Sequence, residues 1–458
     1  MKRTFYFLTI LLAVVACGDD DNFSTSTGLR LTFPEDTLKM DTVFSRTPSS
    51  TYTFWVHNEN DTGIRVQSVR LRRGNQTGFR VNVDGIYLDN SNGSQTSDVE
   101  IRKNDSILVF VELTAAENGQ RTPVLVEDDL LFQLESGVEQ KVCLQAWSWD
   151  AKKLYSPVIT KDTLIESELP IVIFGDMKVE EGVELTILNT CLYFHDGSGL
   201  LVYGSLHTED CVLRGDRLDD MFDYLPYDRV SGQWNGVHLY ETSTGNTMLR
   251  TEIRNPVKGI VYDSAALAPT IPNDPTIPNL PSSPRLSMTE CIIHNCEETG
   301  LEAYNAYIIL DHCQLTNTGG DCISVVGGIA DISYCTFAQF YPFAASRGAA
   351  FRFSNRYAET DMPLQRLSCV GSIMTGYDED VVMGVAGSED VPFNYDFRLC
   401  LMRTPAVTDD SLHFEQILWE TPKDSIQGKQ HFVQIDEDNL IYDFHLDSLS
   451  TAQGLGCY

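Results

Sequence analysis

The fold follows from three segments that align in rows of 22 residues: TECIIHN (289–295), DHCQLTN (311–317) and SYCTFAQ (333–339). Cys291, Cys313 and Cys335 occupy the same position in the three rows. An internal period in the low twenties is typical of a solenoid, in which each repeat forms one coil. Since apolar and polar residues alternate in each row, the coils are predicted to be built from β-strands.

The alternation also predicts which side chains face the inside of each coil, because successive side chains of a strand point to opposite faces. Cysteine, a large apolar residue and a side-chain amide recur on one face, and we expect them to stack into three ladders at the strand spacing of about 4.8 Å. The amides would satisfy backbone groups of the turns. The inward set is Cys291, Ile293, Asn295, Cys313, Leu315, Asn317, Cys335, Phe337 and Gln339. The outward set is Glu290, Ile292, His294, His312, Gln314, Thr316, Tyr334, Thr336 and Ala338.

The register continues towards the N-terminus through TEIRNPVKGI (251–260), with Thr251 at the cysteine position and Asn255 in the amide ladder. The step here is 40 residues, and the excess is a proline-rich stretch that we assign to an inserted loop over 264–286. Proline cannot donate to a strand ladder, so this stretch is predicted to leave the coil.

A second step of 40 residues leads back from Thr251 to Cys211, and its excess is an acidic and aromatic inserted loop over 216–234. Cys191 precedes Cys211 by 20 residues, which we interpret as a plain coil. Stacked Asn and Gln are familiar in right-handed parallel β-helices. We therefore predict an all-β chain whose residues 156–458 form such a helix.

Residues 29–152 have a different pattern. They contain about seven short strands, such as SSTYTFWVHN (49–58) and DSILVFVELT (105–114), separated by turn segments such as NENDTG. This spacing is typical of an antiparallel β-sandwich of the immunoglobulin-like type.

The N-terminal segment predicts export and a lipid anchor. Residues 1–16 combine Lys2 and Arg3 with an apolar run that is too short to span a bilayer, as in a signal peptide. Val14-Val15-Ala16-Cys17 resembles a bacterial lipobox, which implies that Cys17 is acylated and inserted in the outer-membrane lipid. Residues 17–28 form a polar tether, and Asp19, Asp20 and Asp21 resemble the acidic tag that sends such lipoproteins to the cell exterior.

The composition excludes nucleic acid as a partner and argues against a disulfide scaffold and a zinc site. The formal net charge is −32, which repels the phosphate backbone, so we expect no nucleic acid partner. Of the 12 cysteines, 11 remain after Cys17, and an odd count spread through apolar strands does not indicate a disulfide scaffold. No Cys or His spacing suits zinc, so no metal site is predicted.

Five segments resemble Bacteroidetes cell-surface lipoproteins that join an immunoglobulin-like domain to a right-handed parallel β-helix. They are VEEGVELTIL (179–188), FHDGSGLLVYGSL (194–206), RGDR (214–217), YDRVSGQWNGVHL (227–239) and TEIRNPVKGI (251–260). The resemblance implies an outer-membrane location with the chain facing the cell exterior. Some such proteins accompany nutrient importers made of a TonB-dependent barrel and a SusD-like lid lipoprotein, the SusC/SusD type.

Parallel β-helices also carry polysaccharide lyases and glycoside hydrolases, so the chain was searched for paired carboxylates. TGGDCISVVGG (318–328) resembles the polygalacturonase segment with adjacent aspartates, but Gly320 replaces the first and only Asp321 remains. An inverting hydrolase needs two carboxyls about 6.5–9.5 Å apart. Asp321 is therefore a weak catalytic candidate, and we interpret it as a polar turn residue.

The inserted loop 216–234 is the candidate ligand-binding element, because loops on a solenoid often build its binding face. It carries Phe222, Tyr224, Tyr227 and Trp234, and exposed aromatic rings bind sugars or peptides. No cofactor is predicted, although the aspartates of LDDMFDYLPYDR (218–229) would suit calcium. The sequence favours a non-catalytic binding or accessory protein for a glycan or peptide; a β-helix carbohydrate-active enzyme and a surface adhesin remain the alternatives.

Overall fold

A computed structural model describes residues 22–222, 224–264, 283–387, 389–420 and 428–458. Cys17, Asp19, Asp20, Asp21 and most of the predicted loop 264–286 lie outside the described residues. The chain divides into two compact units, Met1–Asp150 and Ala151–Tyr458. The predicted fold class is confirmed: an immunoglobulin-like β-sandwich is followed by a right-handed parallel β-helix.

The first unit contains two sheets that enclose an apolar core, as the alternating pattern requires. Most strand pairs are antiparallel, but the edge strand Thr37–Phe44 runs parallel to its neighbour Glu139–Trp149. In sheet order the larger sheet is Thr37–Phe44, Glu139–Trp149, Val124–Leu134, Ile64–Leu71 and Gln95–Ile101. The smaller sheet is Tyr52–Asn58, Asp105–Leu113, Phe79–Val83 and Ile86–Tyr87.

The second unit is wound from three long parallel sheets, and every complete coil contributes one strand to each. The first sheet is Lys152–Tyr155, Ile171–Phe174, Cys191–Phe194, Val212–Gly215, Glu252–Arg254, Ile292–Cys296, Gln314–Thr318, Thr336–Gln339, Ile373–Gly376, Leu401–Met402 and Leu418–Trp419. The second sheet is Val158–Ile159, Met177–Val179, Gly199–Val202, Gly236–Leu239, Ile260–Tyr262, Leu301–Tyr304, Ile323–Val326, Phe351–Ser354 and Val382–Val385. The third sheet is Thr163–Glu166, Glu184–Leu188, Ser205–Glu209, Asn246–Leu249, Leu286–Thr289, Tyr307–Asp311, Gly328–Ser333, Leu364–Val370, Phe393–Arg398 and Phe414–Glu415.

Shorter elements lie outside these sheets. The described residues include three small antiparallel hairpins: Asp220–Phe222 with Leu225–Pro226, Arg356–Tyr357 with Thr360–Asp361, and Phe432–Asp436 with Ile441–Leu446. They also include three short 3₁₀ helices, Asn90–Asn92, Tyr227–Arg229 and Lys429–His431. Among the residues described, no helix is long and apolar enough to cross a membrane.

The solenoid begins earlier than the sequence pattern suggested. Lys152–Tyr155 pairs in register with Ile171–Phe174 and is therefore the first strand of the first sheet, not the end of the sandwich. Residues 152–155 thus belong to the β-helix, whose start we had placed at residue 156. The sequence KKLY does not decide between the two units, because a β-strand has the same two-residue period in a sandwich and in a β-helix.

The cysteine ladder occupies the corner at which each coil passes from the third sheet to the first. Each side chain there bonds to the carbonyl oxygen two residues before it; the thiol of Cys291 lies 3.3 Å from that of Thr289, and Thr251 makes the same bond at 3.2 Å. The residue just before the ladder position is left-handed, with φ of 52° at Glu290. The full column is Thr190, Cys211, Thr251, Cys291, Cys313, Cys335, Ser372 and Cys400.

The ladder therefore requires a small side chain with a donor, and cysteine shares that property with threonine and serine. Cys191 does not belong to the ladder, because it pairs with Val212 and Thr190 takes the ladder position. The plain coil assigned from Cys191 to Cys211 was out of register by one residue. All 11 cysteines among the described residues are free thiols.

The amide ladder lies at the next corner. Asn255, Asn295 and Asn317 adopt left-handed φ angles of 64°, 59° and 56°, which asparagine tolerates better than most residues. The side chain of Asn255 donates to the backbone oxygens of Asp228 and Val230, so it fixes the returning end of the inserted loop. The expected bond to a turn is made by Gln339, which donates to the backbone oxygen of Gly320 at 2.8 Å, whereas Asn255 holds an insertion in place.

Part of the outward face of the first sheet is covered, which the repeat did not reveal. Gln314, Thr316, Thr336 and Ala338 point outward but are buried beneath residues 428–458, which we call the C-terminal cap. The cap places Phe432, Phe444 and Ala452 over the outward residues Ala338, Ile373 and Leu401. Its last residues bond directly to the strands, with Tyr458 donating to Gln314 at 2.8 Å.

Candidate functional site

The inserted loop 216–234 has an exposed tip and a buried base. Phe222 and Tyr224 form a stacked pair with centroids 5.6 Å apart, and Tyr224 is 80% exposed. Tyr227 is half-buried under the guanidinium of Arg217, 3.9 Å from the ring centroid. These three rings remain candidates for ligand contact, although only the tip is open to solvent.

Trp234 is not an exposed ligand residue, contrary to the expectation from sequence. It is fully buried, stacks on Phe194 at 4.4 Å, and donates its indole N–H to the backbone oxygen of Arg254 at 3.0 Å. Trp234 also forms an isolated bridge with Pro256, so the loop has already rejoined the coil there. Its role is to close the core where the insertion ends.

Behind the loop, a column of three cationic or imidazole side chains crosses the outer face of the first sheet. Arg214, Arg254 and His294 occupy the same position on successive strands. Asp228 of the loop lies 2.7 Å from Arg214 and 3.4 Å from Arg254. Glu252 of the sheet lies 2.9 Å from His294 and 3.5 Å from Arg254. The five groups form one network of mixed charge.

Glu252 and His294 of this network, with Ile292 and Gln314, form the floor of a groove of about 410 Å³. One wall is the loop at Asp228 and Arg229, and the other is the C-terminal cap at Leu440–His445 with Tyr458. The two walls touch, since Arg229 bonds to the backbone oxygen of Asn439. We call this feature the bridged groove. Both walls are segments outside the coil repeat, placed on a rigid sheet.

The electrostatics of the groove keep the Glu252 carboxylate ionised. Burial alone would raise the pKa of Glu252, but the hydrogen bond with His294 and the charges of His294, Arg254 and Arg214 outweigh it and lower the pKa to about 2. Burial raises the pKa of the Tyr458 hydroxyl, so this group is a neutral donor or acceptor. A glycosidase acid needs the opposite shift, a carboxyl held protonated near neutral pH.

The groove wall also carries polar atoms without a partner among the described residues. The side-chain oxygen of Asn317 and the hydroxyl of Tyr442 are buried there without a hydrogen bond. Native proteins leave few such atoms unpaired, and each calls for a water, an ion or a ligand group to complete it.

Asp321 lies elsewhere, on the turn before the second sheet. Its carboxylate is held by Arg352 through contacts of 2.6 and 3.1 Å and accepts from the backbone N–H of Ala349 at 2.7 Å. Both oxygens are thus engaged in joining one coil to the next. The geometry supports the interpretation as a turn residue and gives Asp321 no second carboxylate across a groove.

The aspartates of 218–229 do not form a calcium site within the described residues. Asp219 is paired with Arg217 at 2.6 and 2.7 Å, and Asp228 with Arg214. Across the described residues, no group of three or more His, Cys, Asp or Glu side chains is arranged to hold a metal ion. The arginines already supply the charge that a cation would bring.

Neither a family model nor a curated protein matches the chain. Among solved structures, PapD-like domain 7 of human CEP192 is similar at 12% identity and a TM-score of 0.19, over 28% of this chain and 90% of that one. The catalytic unit of a GH87 α-1,3-glucanase from Streptomyces thermodiastaticus is similar at 10% identity and a TM-score of 0.29, over 81% of this chain and 89% of that one. The catalytic domain of a GH87 α-1,3-glucanase in complex with nigerose is similar at 9% identity and a TM-score of 0.27, over 83% of this chain and 90% of that one. Likeness at this level carries no argument about activity.

The sequence placed the inserted loop near a candidate site but did not identify the groove. His294 was assigned outward, and the same alternation applied to TEIRN would have put Glu252 and Arg254 beside it. The opposite wall could not be inferred from strand alternation, because the C-terminal cap is more than a hundred residues away in sequence from the strands it covers. The backbone N–H of Cys457, for example, donates to the hydroxyl of Thr336, 121 positions earlier.

Proposed function

We propose that this protein is a non-catalytic, surface-exposed lipoprotein that binds a short glycan in the bridged groove. The observation that carries the proposal is the groove itself, built by the inserted loop and the C-terminal cap over a charged sheet face. Its lining includes donors, such as Arg229 and His294, beside acceptors, such as Asp228 and Glu252. Sugar hydroxyls both donate and accept, so a hydroxyl-rich ligand suits this mixture.

The binding experiment uses the purified chain without its signal segment and a panel of neutral oligosaccharides and peptides, measured by calorimetry. We expect binding of a glycan, and His294→Ala should weaken it by about tenfold because a floor donor is lost. His195→Ala is the matched control, since His195 is another outward histidine paired with a carboxylate, 2.7 Å from Asp216, but does not line the groove. Equal effects of the two changes would refute the groove assignment. If only a peptide binds, the proposed ligand class changes from a glycan to a peptide.

A rival function, a β-helix carbohydrate-active enzyme, is tested in the same samples. Incubation with the bound glycan should release no reducing ends or unsaturated products. Turnover that disappears in Glu252→Gln, with binding retained, would convert the groove into an active site and overturn the non-catalytic proposal.

The surface location rests on the N-terminal segment alone and is a separate proposal. We propose acylation at Cys17 and export directed by Asp19, Asp20 and Asp21. In whole cells, protease should degrade the wild-type protein, whereas replacement of the three aspartates by asparagine should protect it. Cys17→Ala should release the protein from the membrane fraction; a membrane-bound variant would contradict the lipid anchor.

We further propose that the protein is an accessory subunit of a SusC/SusD-type importer. Affinity purification from native outer membranes should then recover a TonB-dependent barrel and a SusD-like lipoprotein in fixed ratio. Recovery of the protein alone, under conditions that preserve a known importer pair, would favour the adhesin alternative.

A further inference from the structure

A second open cavity, of about 610 Å³, lies on the outer face of the second sheet. It is separate from the bridged groove, which lies on the first sheet. Tyr203 and Tyr240 form one side and Tyr304 and Tyr357 the other, with Val261 between them. We call this feature the tyrosine trough.

The first side is a stack of rings held by the coil spacing. Tyr240 lies 4.0 Å from Tyr203 and 4.0 Å from His238, with interplanar angles of 9° and 10°. Two parallel rings at that distance cannot share one face, so both faces of Tyr240 are covered. Lys178 lies above Tyr203 at 5.1 Å. This side therefore offers hydroxyl groups and ring edges, not ring faces.

The second side offers a ring face. Tyr357 is 53% exposed and meets Tyr304 edge to face, with centroids 4.9 Å apart. It is carried by the hairpin Arg356–Tyr357 and Thr360–Asp361, which interrupts the coil repeat: Phe351 pairs with Val382, 31 residues later. The hairpin thus places an aromatic side chain beside the outer face of the second sheet.

Two of the three acidic side chains that line the trough already face a cationic or imidazole partner. Lys258 lies 3.0 Å from Glu302 and 3.4 Å from Glu298, and Asp263 lies 3.0 Å from His238. A cationic ligand therefore gains little at Glu302 and Asp263. An acidic ligand would face Glu241, Asp263 and Glu302 in a chain of net charge −32.

The hydroxyls of Tyr240 and Tyr304 are neutral at physiological pH. Burial, with the neighbouring Tyr203 hydroxyl, raises the pKa of Tyr240 to about 12. Burial also raises the pKa of Tyr304, assisted by Glu302 and Tyr357. Neutral phenols both donate and accept, which matches a ligand rich in hydroxyl groups.

We propose that the tyrosine trough is a second binding site, specific for a neutral oligosaccharide, in which a sugar ring stacks on Tyr357 and its hydroxyls bond to Glu302, Asp263 and the tyrosines. The site goes beyond the proposed function and does not depend on the groove, because no residue is shared between them. Two glycan sites on one chain would also give a long polysaccharide bivalent attachment.

The test is calorimetry with neutral hexasaccharides of glucose, mannose and xylose, and with oligogalacturonate as an acidic probe. A neutral hexasaccharide should bind the wild type, and Tyr357→Ala should weaken that binding about tenfold, as the loss of a stacked ring implies. Tyr357→Phe should stay within about threefold, because the ring face is retained. Tyr155→Ala is the matched control: Tyr155 is an exposed tyrosine that stacks on Phe174 at 5.1 Å, but it lies on the first sheet.

Failure of the trough and failure of the groove give different results. If both sites bind, stoichiometry is two, and Tyr357→Ala and His294→Ala each weaken one of the two sites about tenfold. If the groove takes no glycan, stoichiometry is one and only Tyr357→Ala affects it, which still supports the trough. The trough is overturned if Tyr357→Ala matches Tyr155→Ala, if oligogalacturonate binds as well as neutral sugars, or if no hexasaccharide binds.

Discussion

The strongest single prediction concerns the ion pair beneath the C-terminal cap. Arg403 and Glu420 follow Met402 and Trp419 on paired strands of the first sheet and point outward, yet their side chains are only 1% and 3% exposed. The guanidinium lies 3.0 Å from the Glu420 carboxylate and donates to the backbone oxygen of Asp378 at 2.7 Å. Thr375 donates to the other carboxylate oxygen at 2.6 Å.

Arg403→Met keeps the length of the side chain but leaves the Glu420 carboxylate buried without its cation. Removing one partner of a buried pair costs about 3–5 kcal/mol. Replacing both, as in Arg403→Met with Glu420→Leu, should cost far less, because no charge is then left in an apolar site. The single change should therefore destabilise the protein more than the double change does.

Amide hydrogen exchange measures this effect where it acts. The cap rests on the pair through Gln430, 3.4 Å from Glu420, so the loss should appear as faster exchange at Phe432 and Phe444. A cost of 3–5 kcal/mol corresponds to roughly 10²- to 10⁴-fold faster exchange, unless global unfolding sets the limit. Exchange in the sandwich strand Asp105–Leu113 serves as the internal control. The reasoning is refuted if the single variant loses less than about 1 kcal/mol, or if the double variant exchanges as fast as the single one.

Three further predictions concern single side chains. Trp234→Ala should destabilise the solenoid by about 3–5 kcal/mol in thermal or urea unfolding, whereas Tyr224→Ala at the exposed loop tip should change stability by less than about 0.5 kcal/mol; similar costs would contradict the buried and exposed assignments. Cys313→Ser should keep the corner bond and be tolerated, while Cys313→Val should cost about 0.5–1.5 kcal/mol, because the Asp311 carbonyl keeps the N–H of Glu290 but loses its second donor. Equal melting temperatures of the two variants would exclude a role for that bond. The pKa of Glu252 in the folded protein is lowered to about 2 from an ordinary 4.5, so its contribution to the free energy of unfolding is complete above pH 4.5 and is lost as pH falls towards 2. The melting temperature of Glu252→Gln should therefore fall less steeply than that of the wild type in this range. Parallel curves of melting temperature against pH would contradict the assignment.

The architecture of the solenoid could be predicted from sequence because its determinants are local. The ladder at Cys291, Cys313 and Cys335 requires only that each coil repeat the same turn, and the repeat is visible in one dimension. The inward apolar column of Ile293, Leu315 and Phe337 follows from strand alternation and is fully buried. Both features depend on residues a few positions apart.

The cap and the two cavities depend on contacts between distant segments, which alternation cannot specify. Apolar residues at outward positions, such as Ala338 and Ile373, were nevertheless a sign that something covers that face. Trp234 is assigned to the loop from sequence because it falls in the excess of the 40-residue step between Cys211 and Thr251, but the bridge to Pro256 shows that the loop has already rejoined the coil. The trough had no signal of its own, because Tyr357 comes from an insertion that the repeat does not reveal.

The corner turn described above has a consequence for the length of the molecule. Since each of the eight ladder residues bonds to the carbonyl two residues before it through Cys, Thr or Ser, the same corner turn recurs from coil to coil. A plain coil such as 292–313 could therefore be deleted or duplicated in register, joining one ladder position to the residue that follows the next. Each such event would change the molecule by one strand spacing, about 4.8 Å, and leave every other turn intact. The number of coils therefore sets the distance along the solenoid between its inserted segments, in steps of one strand spacing.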